Sequence, residues 1–196
     1  SGGGAGNGQA ELRYALAGED TRAHGEMVEM AGQKVGRMGP GQRRALGLHF
    51  GPEERLGRGA VPSVGLAHNL LLTRNDAVRR FGWIDNGALR KQALEIIARF
   101  GVKAGGPDAP AQSLSGGNLQ KFIVGREISA GPRLLIVSQP TWGVDVGAAQ
   151  QIRSEILGLR DAGCAVLVIS EELDELFEIS DRLYVIAKGH LSPSID

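Results

Sequence analysis

The sequence has little of what marks secreted, membrane-spanning or generally nucleic-acid-binding proteins. It contains one cysteine, Cys164, so no internal disulfide can form and a reducing compartment suits it. Lys and Arg total 22 against 22 Asp and Glu, which argues against a generally basic nucleic-acid binder. No run approaches the ~18–20 apolar residues that span a bilayer, and no positively charged leader opens the chain. We therefore expect any membrane-spanning part of its function to belong to another chain.

What the chain does contain is enough apolar sequence for one packed domain. It has 196 residues, of which 42% are hydrophobic. Three apolar runs in the C-terminal half predict buried strands: residues 134–137, 165–169 and 183–186. Helical spacing predicts two helices between these runs: residues 148–162, which Gly163 would end, and residues 172–179. This alternation predicts an α/β fold with a parallel sheet and right-handed crossovers.

The middle of the chain has a different pattern, and we interpret it as an inserted lobe. Residues 89–100 place apolar side chains on one face and predict an amphipathic helix, whereas residues 26–50 predict short strands. We predict a single domain with a core of about residues 1–60 and 131–190 and a mainly helical lobe of about residues 61–130. Because no strand precedes the first glycine cluster, we expect the N-terminal strands to be truncated.

The stretch from Leu114 to Lys121 carries the strongest functional signal. Ser115 can cap a following helix, and Gly116 and Gly117 leave the first backbone N–H groups of that helix uncovered. Bare amides at a helix N-terminus attract anions such as phosphate. Ser-Gly-Gly alone is also typical of an ordinary capped helix after a glycine turn. The whole octet, about a dozen residues before a buried strand, favours the anion-binding interpretation.

This octet resembles the signature motif of ABC ATPases, in the form found in sugar and nucleoside importers. Three other segments extend the resemblance: residues 139–148 resemble the Walker B end and D-loop, 52–57 the region of the Q-loop, and 170–173 the switch region. The chain most resembles the second nucleotide-binding half of a tandem ATPase subunit. The resemblance implies a P-loop NTPase (RecA-like) parallel-sheet core with an inserted, mainly helical lobe.

The resemblance also implies a function and a set of partners. Members of this family drive the import of a simple sugar or nucleoside with ATP, and Mg²⁺ accompanies the nucleotide. The implied partners are a second ABC nucleotide-binding half, transmembrane permease subunits and, indirectly, a substrate-binding protein, with no nucleic acid. The implied location is cytoplasmic, peripheral on the inner face of the cell membrane.

The phosphate-binding loop of the family is altered in this sequence. Such a loop needs glycines whose amides cradle phosphate, then a Lys and a Ser or Thr that binds Mg²⁺. Residues 3–8 have the glycine spacing, but Gln9 stands in the place of the Lys and Ala10 in that of the hydroxyl residue. Gly6-Asn7-Gly8-Gln9 resembles the altered loop of second halves in this importer group. A glycine-rich leader without a nucleotide role is the alternative.

Two further catalytic positions are substituted. A Walker B strand ends in Asp and Glu, which order the Mg²⁺ shell and activate the attacking water. Here Ser138 and Gln139 follow the apolar run, and Gln139 cannot act as a general base, a loss that typically costs about 10²–10⁴-fold in rate. Glu171 replaces the switch His and would repel phosphate. Since Ala10 and Ser138 replace the usual Mg²⁺ ligands, we predict no metal ligand in this chain and weak or absent Mg²⁺ at its own site.

The substituted and retained residues belong to different sites. Five substitutions affect one chemical event: Gln9, Ala10, Ser138, Gln139 and Glu171. In head-to-tail ABC dimers the residues retained here contribute to the partner's nucleotide site: Ser115, Gly116, Gly117 and Asp145. Asn118 of the same octet is a further candidate nucleotide-binding residue. We therefore predict a half that hydrolyses ATP weakly or not at all and donates its signature to a partner site. A non-hydrolysing regulatory module is an alternative, as is a soluble ABC protein outside transport, which the neutral charge disfavours.

Several conspicuous residues have simpler interpretations. The four histidines lie far apart and predict surface or structural roles: His24, His49, His68 and His190. Cys164 precedes an apolar run and is typical of a small buried residue. Trp142 could contact a dimer partner or pack on a helix. A group of arginines makes the middle of the chain locally basic, which indicates a solvated face or a contact with a permease: Arg55, Arg58, Arg74, Arg79 and Arg80.

Overall fold

The computed structural model describes residues 8–22, 25–74, 79–80 and 83–195. The chain divides into two compact units, one formed by residues 1–48 with 172–196 and the other by residues 49–171. The predicted division into a core and a helical lobe at residues 61–130 stays a prediction. Within the described part of the chain, no helix combines the length and apolar character needed to cross a membrane.

The described helices and strands follow one another in a mixed α/β order. The α-helices are α1 (Gln9–Ala17), α2 (Pro40–Ala45), α3 (Leu66–Asn69), α4 (Asn86–Arg99), α5 (Gly116–Ile128), α6 (Val146–Asp161) and α7 (Leu173–Ile179). The strands are β1 (Glu29–Met30), β2 (Gln33–Lys34), β3 (Leu48–Gly51), β4 (Arg79–Arg80), β5 (Trp83–Ile84), β6 (Leu134–Ser138), β7 (Ala165–Ile169), β8 (Ile186–Ala187) and β9 (His190–Leu191). Short 3₁₀ helices lie at Leu70–Leu72 and Ala111–Ser113.

The second unit contains the predicted parallel sheet. Strands β3, β6 and β7 lie side by side in that order, and β6 pairs parallel with β7 from Leu134 opposite Ala165 to Ser138 opposite Ile169. Helix α6 connects the two strands, and Ile152 and Ile156 on its inner face are buried. Gly163 follows α6 with φ 93°, the left-handed conformation that stops a helix cheaply only at glycine. The predictions for residues 134–137, 148–162 and 165–169 are therefore confirmed.

The prediction of a third parallel strand at residues 183–186 is wrong. Strand β8 pairs antiparallel with β9, and Leu183 forms an antiparallel bridge with Ile195. Lys188 and Gly189 join the two strands with φ of 50° and 79°, the left-handed pair typical of a two-residue hairpin turn. Because this turn folds the chain back at once, the apolar run pairs locally. Tyr184 and Val185 stay about half exposed, at 50% and 49%, whereas a strand inside a parallel sheet is covered on both faces.

The middle of the chain contributes much of the core of the second unit. Helix α4 begins after Asp85, whose Oδ1 accepts a hydrogen bond from the Ala88 N–H at 2.9 Å. Its predicted apolar face is buried through Leu89, Ala93 and Ile96 and packs in one cluster with α5 and β6. Removing apolar surface from water contributes about 25 cal/mol per Å². Burial of this face therefore stabilises α4 more than the helix propensity of its residues does.

In the first unit, a buried arginine ties α1 to α2. The Arg43 guanidinium is fully buried and donates hydrogen bonds to main-chain oxygens of Ala15 and Leu16 at 2.5 and 2.6 Å, and to that of Met38 at 3.0 Å. Burial lowers the pKa of Arg43 from its ordinary value. Helix α1 ends at Gly18, which has a left-handed conformation. The last carbonyl oxygens of a helix have no donor within the helix, and here the Arg43 guanidinium supplies hydrogen-bond donors to two of them. The short strands predicted within residues 26–50 are also present, as β1, β2 and β3.

Candidate nucleotide-binding site

The signature-like stretch forms the start of α5, as its residues predict. Ser115 is the N-cap, and its Oγ accepts hydrogen bonds from the Asn118 backbone N–H at 3.4 Å and from Asn118 Nδ2 at 2.8 Å. Asn118 in turn accepts a hydrogen bond from the Lys103 N–H at 2.8 Å. Leu119, Phe122 and Ile123 bury the following face of the helix, as predicted. The N-terminus of α5 is therefore a defined turn with both of its first helical residues glycine.

The two glycines are required by close contacts as well as by open amides. A Cβ at Gly117 would lie 2.5 Å from the Gly143 carbonyl oxygen, and a Cβ at Gly116 would lie 2.5 Å from Arg55 Nη1. Such distances are far inside van der Waals contact, and the partner at Gly117 is main chain that cannot swing away. The segment after β6 therefore packs directly on Ser115–Gly117, called the signature turn below. Sequence spacing did not predict this arrangement.

The structure brings together Gln139 and Glu171, the residues predicted to replace the general base and the switch His. Ser138 ends β6 and is buried, and Gln139 follows with φ 50°, which is uncommon outside glycine. Gln139 Oε1 accepts hydrogen bonds from Ser170 Oγ at 3.3 Å and from the Glu171 N–H at 3.5 Å. At this point a Gln amide, which cannot take up a proton, holds the segment after β7. The carboxylate of Glu171 is exposed.

A second set of polar contacts joins α5 to this same edge. Gln120 is buried, and its Nε2 donates to the carbonyl oxygens of Gln139 at 3.1 Å and Pro140 at 3.2 Å. Its Oε1 accepts a hydrogen bond from Arg55 Nε at 3.1 Å. Arg55 Nη2 also donates to the Trp142 carbonyl oxygen at 2.7 Å. Sequence reasoning missed the contact between Arg55 and Gln120 because the two residues lie 65 positions apart, and Trp142 lies 87 positions from Arg55.

Asp145, the other residue predicted to face a partner's nucleotide, caps α6. Its Oδ1 accepts a hydrogen bond from the Ala148 N–H at 2.9 Å, and its Oδ2 lies 4.0 Å from Lys121 Nζ. The Ala148 N–H, followed by the charges of Lys121 and Lys103, lowers the pKa of Asp145 from its ordinary value. The carboxylate is thus ionised at neutral pH and largely exposed at the surface of the second unit.

The stretch predicted to be an altered phosphate loop is described only in part, in the first unit. Gly6 and Asn7 lie outside the described residues. Gly8 has φ 88° and precedes α1, and Gln9 and Ala10 begin the helix. A Cβ at Gly8 would lie 2.9 Å from Gly189 Cα, so a larger residue would clash with the β8–β9 turn. The predicted helix over residues 11–16 is confirmed as part of α1.

The histidines have the structural and surface roles that their spacing predicts, as far as they are described. His49 Nδ1 lies 2.9 Å from Glu127 Oε2 in a buried pair, His68 lies 3.1 Å from Asn86 Oδ1, and His190 is exposed. His24 lies outside the described residues. Cys164 is buried, and burial raises the pKa of its thiol. No group of three or more His, Cys, Asp or Glu residues in the described ranges could hold a metal ion.

The prediction of a solvated arginine face is wrong for Arg74. Its guanidinium donates to Gln92 Oε1 at 2.8 Å and to the Arg126 carbonyl oxygen at 2.6 Å, and burial lowers its pKa. Arg58 is exposed as predicted, whereas the side chains of Arg79 and Arg80 lie outside the described part of the chain. Sequence patterns miss such a case because Arg can bury its stem and still bind main-chain oxygens.

Comparison with solved structures defines the class of fold. A dimeric ATP-binding cassette in a post-hydrolysis state bound to ADP and Pi superimposes with a TM-score of 0.79 at 18% identity, covering 96% of this chain and 80% of that one. A nucleotide-free ATP-binding cassette from an ABC transporter superimposes with a TM-score of 0.75 at 21% identity, covering 97% and 76%. The chain therefore has the P-loop NTPase fold of ABC cassettes, as predicted.

Curated relatives that match most of the chain are ATP-binding proteins of import systems. The chain is 38% identical over 188 residues to a nucleoside import ATP-binding protein of Lactococcus lactis, and 40% identical over 193 residues to a glucose import ATP-binding protein of Haloferax volcanii. A ribose import ATP-binding protein of Rubrobacter xylanophilus is 36% identical over 188 residues. Each alignment covers 95% of this chain but only 37%, 34% and 38% of the respective relative. No protein-family model matches the sequence.

The chain therefore has the fold of ABC cassettes and is similar, over 95% of its length, to ATP-binding proteins of nucleoside and sugar import. It spans about a third of the length of the relatives it matches, between 34% and 38%.

Proposed function

We propose that this chain is one nucleotide-binding half of an importer ATPase that donates its signature turn to a partner's ATP. The observation that carries the proposal is the contrast between its two sets of residues. The start of α5 has a serine cap, two glycines and a fixed surrounding network, which suits phosphate binding by backbone amides. The positions for general base and switch instead hold Gln139 and Glu171, and Gln139 Oε1 accepts a hydrogen bond from the Glu171 backbone N–H.

The chemistry of this chain's own site is proposed to be impaired. Gln9 cannot neutralise phosphate as a Lys would. Ala10 gives no hydroxyl and Ser138 no carboxylate in the places where Mg²⁺ is usually bound. The amide of Gln139 takes up no proton and so cannot serve as a general base. We also propose that Gly6, Asn7 and Gly8 contact a nucleotide, and that Mg²⁺ binding at this site is weak or absent.

The partners and location follow from this role. The proposed partner half brings an intact lysine and glutamate, and Ser115, Gly116, Gly117, Asn118 and Asp145 face its nucleotide. Transmembrane permease subunits would carry the substrate, a simple sugar or a nucleoside, with a substrate-binding protein acting indirectly. The complex would sit at the cytoplasmic face of the membrane. We propose one ABC-type domain, with the core at about residues 1–60 and 131–190 and the helical lobe at about 61–130.

A substitution at the cap of α5 tests the proposal. Ser115→Arg places a bulky cation where the partner's terminal phosphate would approach, so ATP turnover by the mixed halves should fall at least about 100-fold. Ser113→Arg is the matched control, because Ser113 is also exposed and lies in the preceding turn. If the Ser115→Arg assembly keeps the turnover of the control, signature donation is wrong.

A non-hydrolysing regulatory module is the second candidate. It is favoured by Gln9 and Ala10 at the start of α1, which supply neither a charge for phosphate nor a hydroxyl for Mg²⁺, although the glycine-rich stretch is kept. Calorimetry with ATP in the presence and absence of Mg²⁺ distinguishes the candidates. Binding that ignores Mg²⁺, together with no turnover beside a partner half, would favour the regulatory module.

A further inference from the structure

Arg55 lies where three segments of the second unit meet. It belongs to the stretch after β3, donates from Nε to Gln120 of α5 at 3.1 Å and donates from Nη2 to the Trp142 carbonyl oxygen at 2.7 Å. Its guanidinium carbon also stands 4.7 Å from the centroid of the Trp142 ring. One side chain therefore contacts α5 and the segment after β6 at once.

The same guanidinium presses on the signature turn. A Cβ at Gly116 would lie 2.5 Å from Nη1, and one at Gly143, whose φ is 70°, would lie 3.0 Å from Nη2. The planar group thus fills the gap between the first residue of α5 and the segment that follows β6. Glycine at both positions leaves the room that the arginine occupies.

Hydrogen bonds and stacking, not charge attraction, explain this position. The N-terminus of a helix is the positive end of its dipole, so a cation beside Gly116 is disfavoured there. Burial also lowers the pKa of Arg55 from its ordinary value. Two properties of the guanidinium offset these costs: its N–H donors point in fixed directions, and its planar face stacks on the Trp142 ring. A lysine ammonium has neither property.

Gln120 extends the contact into the substituted base position. Its amide accepts from Arg55 and donates to the carbonyl oxygens of Gln139 and Pro140. Gln139 in turn accepts hydrogen bonds from Ser170 and Glu171. The described residues therefore form one polar chain from Arg55 to the end of β7.

We propose that Arg55 is the positioning residue of the signature turn, holding Ser115–Gly117 against the segment 139–143. Its effect on catalysis rests on the proposed function above, because the nucleotide it acts on belongs to the partner half. Its effect on the turn itself does not, and this allows the two ideas to be tested separately.

Hydrogen exchange in the chain by itself tests the positioning. In Arg55→Met, the backbone amides of Asn118 and Leu119 should exchange roughly tenfold faster, since a charged hydrogen-bond donor and its packing are lost. Arg58→Met is the matched control, because Arg58 is exposed and pairs with Glu54 at 3.7 Å. Arg55→Lys keeps the charge and should show a smaller change of the same sign. Unchanged exchange in both Arg55 variants would overturn the proposal.

Turnover by the mixed halves tests the catalytic consequence. With Arg55→Met, kcat should fall roughly tenfold while KM for ATP stays within about twofold, because the partner's own loop holds the nucleotide. A rise in KM with unchanged kcat would contradict positioning. If Ser115→Arg abolishes turnover and Arg55→Met does not, this inference fails while signature donation stands. If Ser115→Arg has no effect, signature donation fails and the exchange result alone decides the role of Arg55.

Discussion

Helices α1 and α5 both begin in a glycine-rich stretch, but their first turns are held in different ways. The turn before α5 has a serine cap and is enclosed by Arg55, Gln120 and the segment after β6. The turn before α1 has Gly8 as its cap, with no side-chain hydrogen bond, and Gln9 and Ala10 follow it. A glycine-rich stretch before a helix therefore does not by itself define a phosphate site. The residues that fix the amides and add charge decide what the site can do.

The largest expected effect comes from restoring five substituted positions, two at the start of α1 and three at or just after the ends of β6 and β7. A chain with Gln9→Lys, Ala10→Ser, Ser138→Asp, Gln139→Glu and Glu171→His should hydrolyse ATP, beside a partner half, about 10²–10⁴-fold faster at its own site than the natural sequence. Single-site turnover is measured with the partner's own lysine removed. Gln139→Glu alone serves as the control and should gain little, since the phosphate and metal contacts are still missing. Equal rates of ATP hydrolysis in the restored and natural chains would contradict the idea that these five residues limit turnover at this site.

The next effect concerns how the far end of α5 is anchored. Glu127 is fully buried between Arg126 Nε at 2.6 Å and His49 Nδ1 at 2.9 Å. Glu127→Gln leaves Arg126 without its counter-charge and should lower the free energy of unfolding by about 3–5 kcal/mol, measured by urea denaturation. The matched control is Glu155→Gln, which removes the more exposed Arg99–Glu155 pair and should cost at most about 1 kcal/mol. Similar losses in both variants would contradict a special anchoring of α5.

The same carboxylate makes a pH prediction whose sign follows from its pKa. Despite its burial, the charge of Arg126 and the hydrogen bonds from Arg126 and His49 lower the pKa of Glu127. Stability from a carboxyl group with a lowered folded-state pKa is fully present above its ordinary pKa and is lost as the pH falls through the folded-state value. The natural chain should therefore lose more stability than Glu127→Gln on acidification below about pH 4.5.

The smallest expected effect sharpens the comparison at the signature turn. Gly117→Ala puts a methyl group against the Gly143 carbonyl and should cost about 1–3 kcal/mol of stability, as overpacking typically does. Gly41→Ala in α2 is the control, because no atom lies within 4 Å of the added Cβ, and it should be neutral or slightly stabilising. Thermal unfolding measures both. A neutral Gly117→Ala would mean that the two segments separate easily.

Much of the fold could be predicted because its elements have local signals. The pattern of apolar residues in β6, β7 and α6 predicted these elements, and residue type alone indicated the N-cap Ser115 and the helix stop at Gly163. The run at 183–186 misled for the same reason: apolar residues favour a strand but do not choose its partner, and the turn at Lys188–Gly189 supplied a nearby one. The arginines misled because their stems can be buried while their head groups bind carbonyls, as at Arg74.

The sequence by itself determined the fold class, the capped start of α5 and the absence of a charged side chain at residues 9, 138 and 139. Each of these depends on residue type and short spacing, which physical chemistry reads locally. Only the tertiary structure decided that Arg55 meets Gln120 across 65 residues, that His49 meets Glu127 across 78, and that Gln139 holds Glu171. Such contacts depend on how packed layers bring distant segments together, and a short window of sequence contains no record of that.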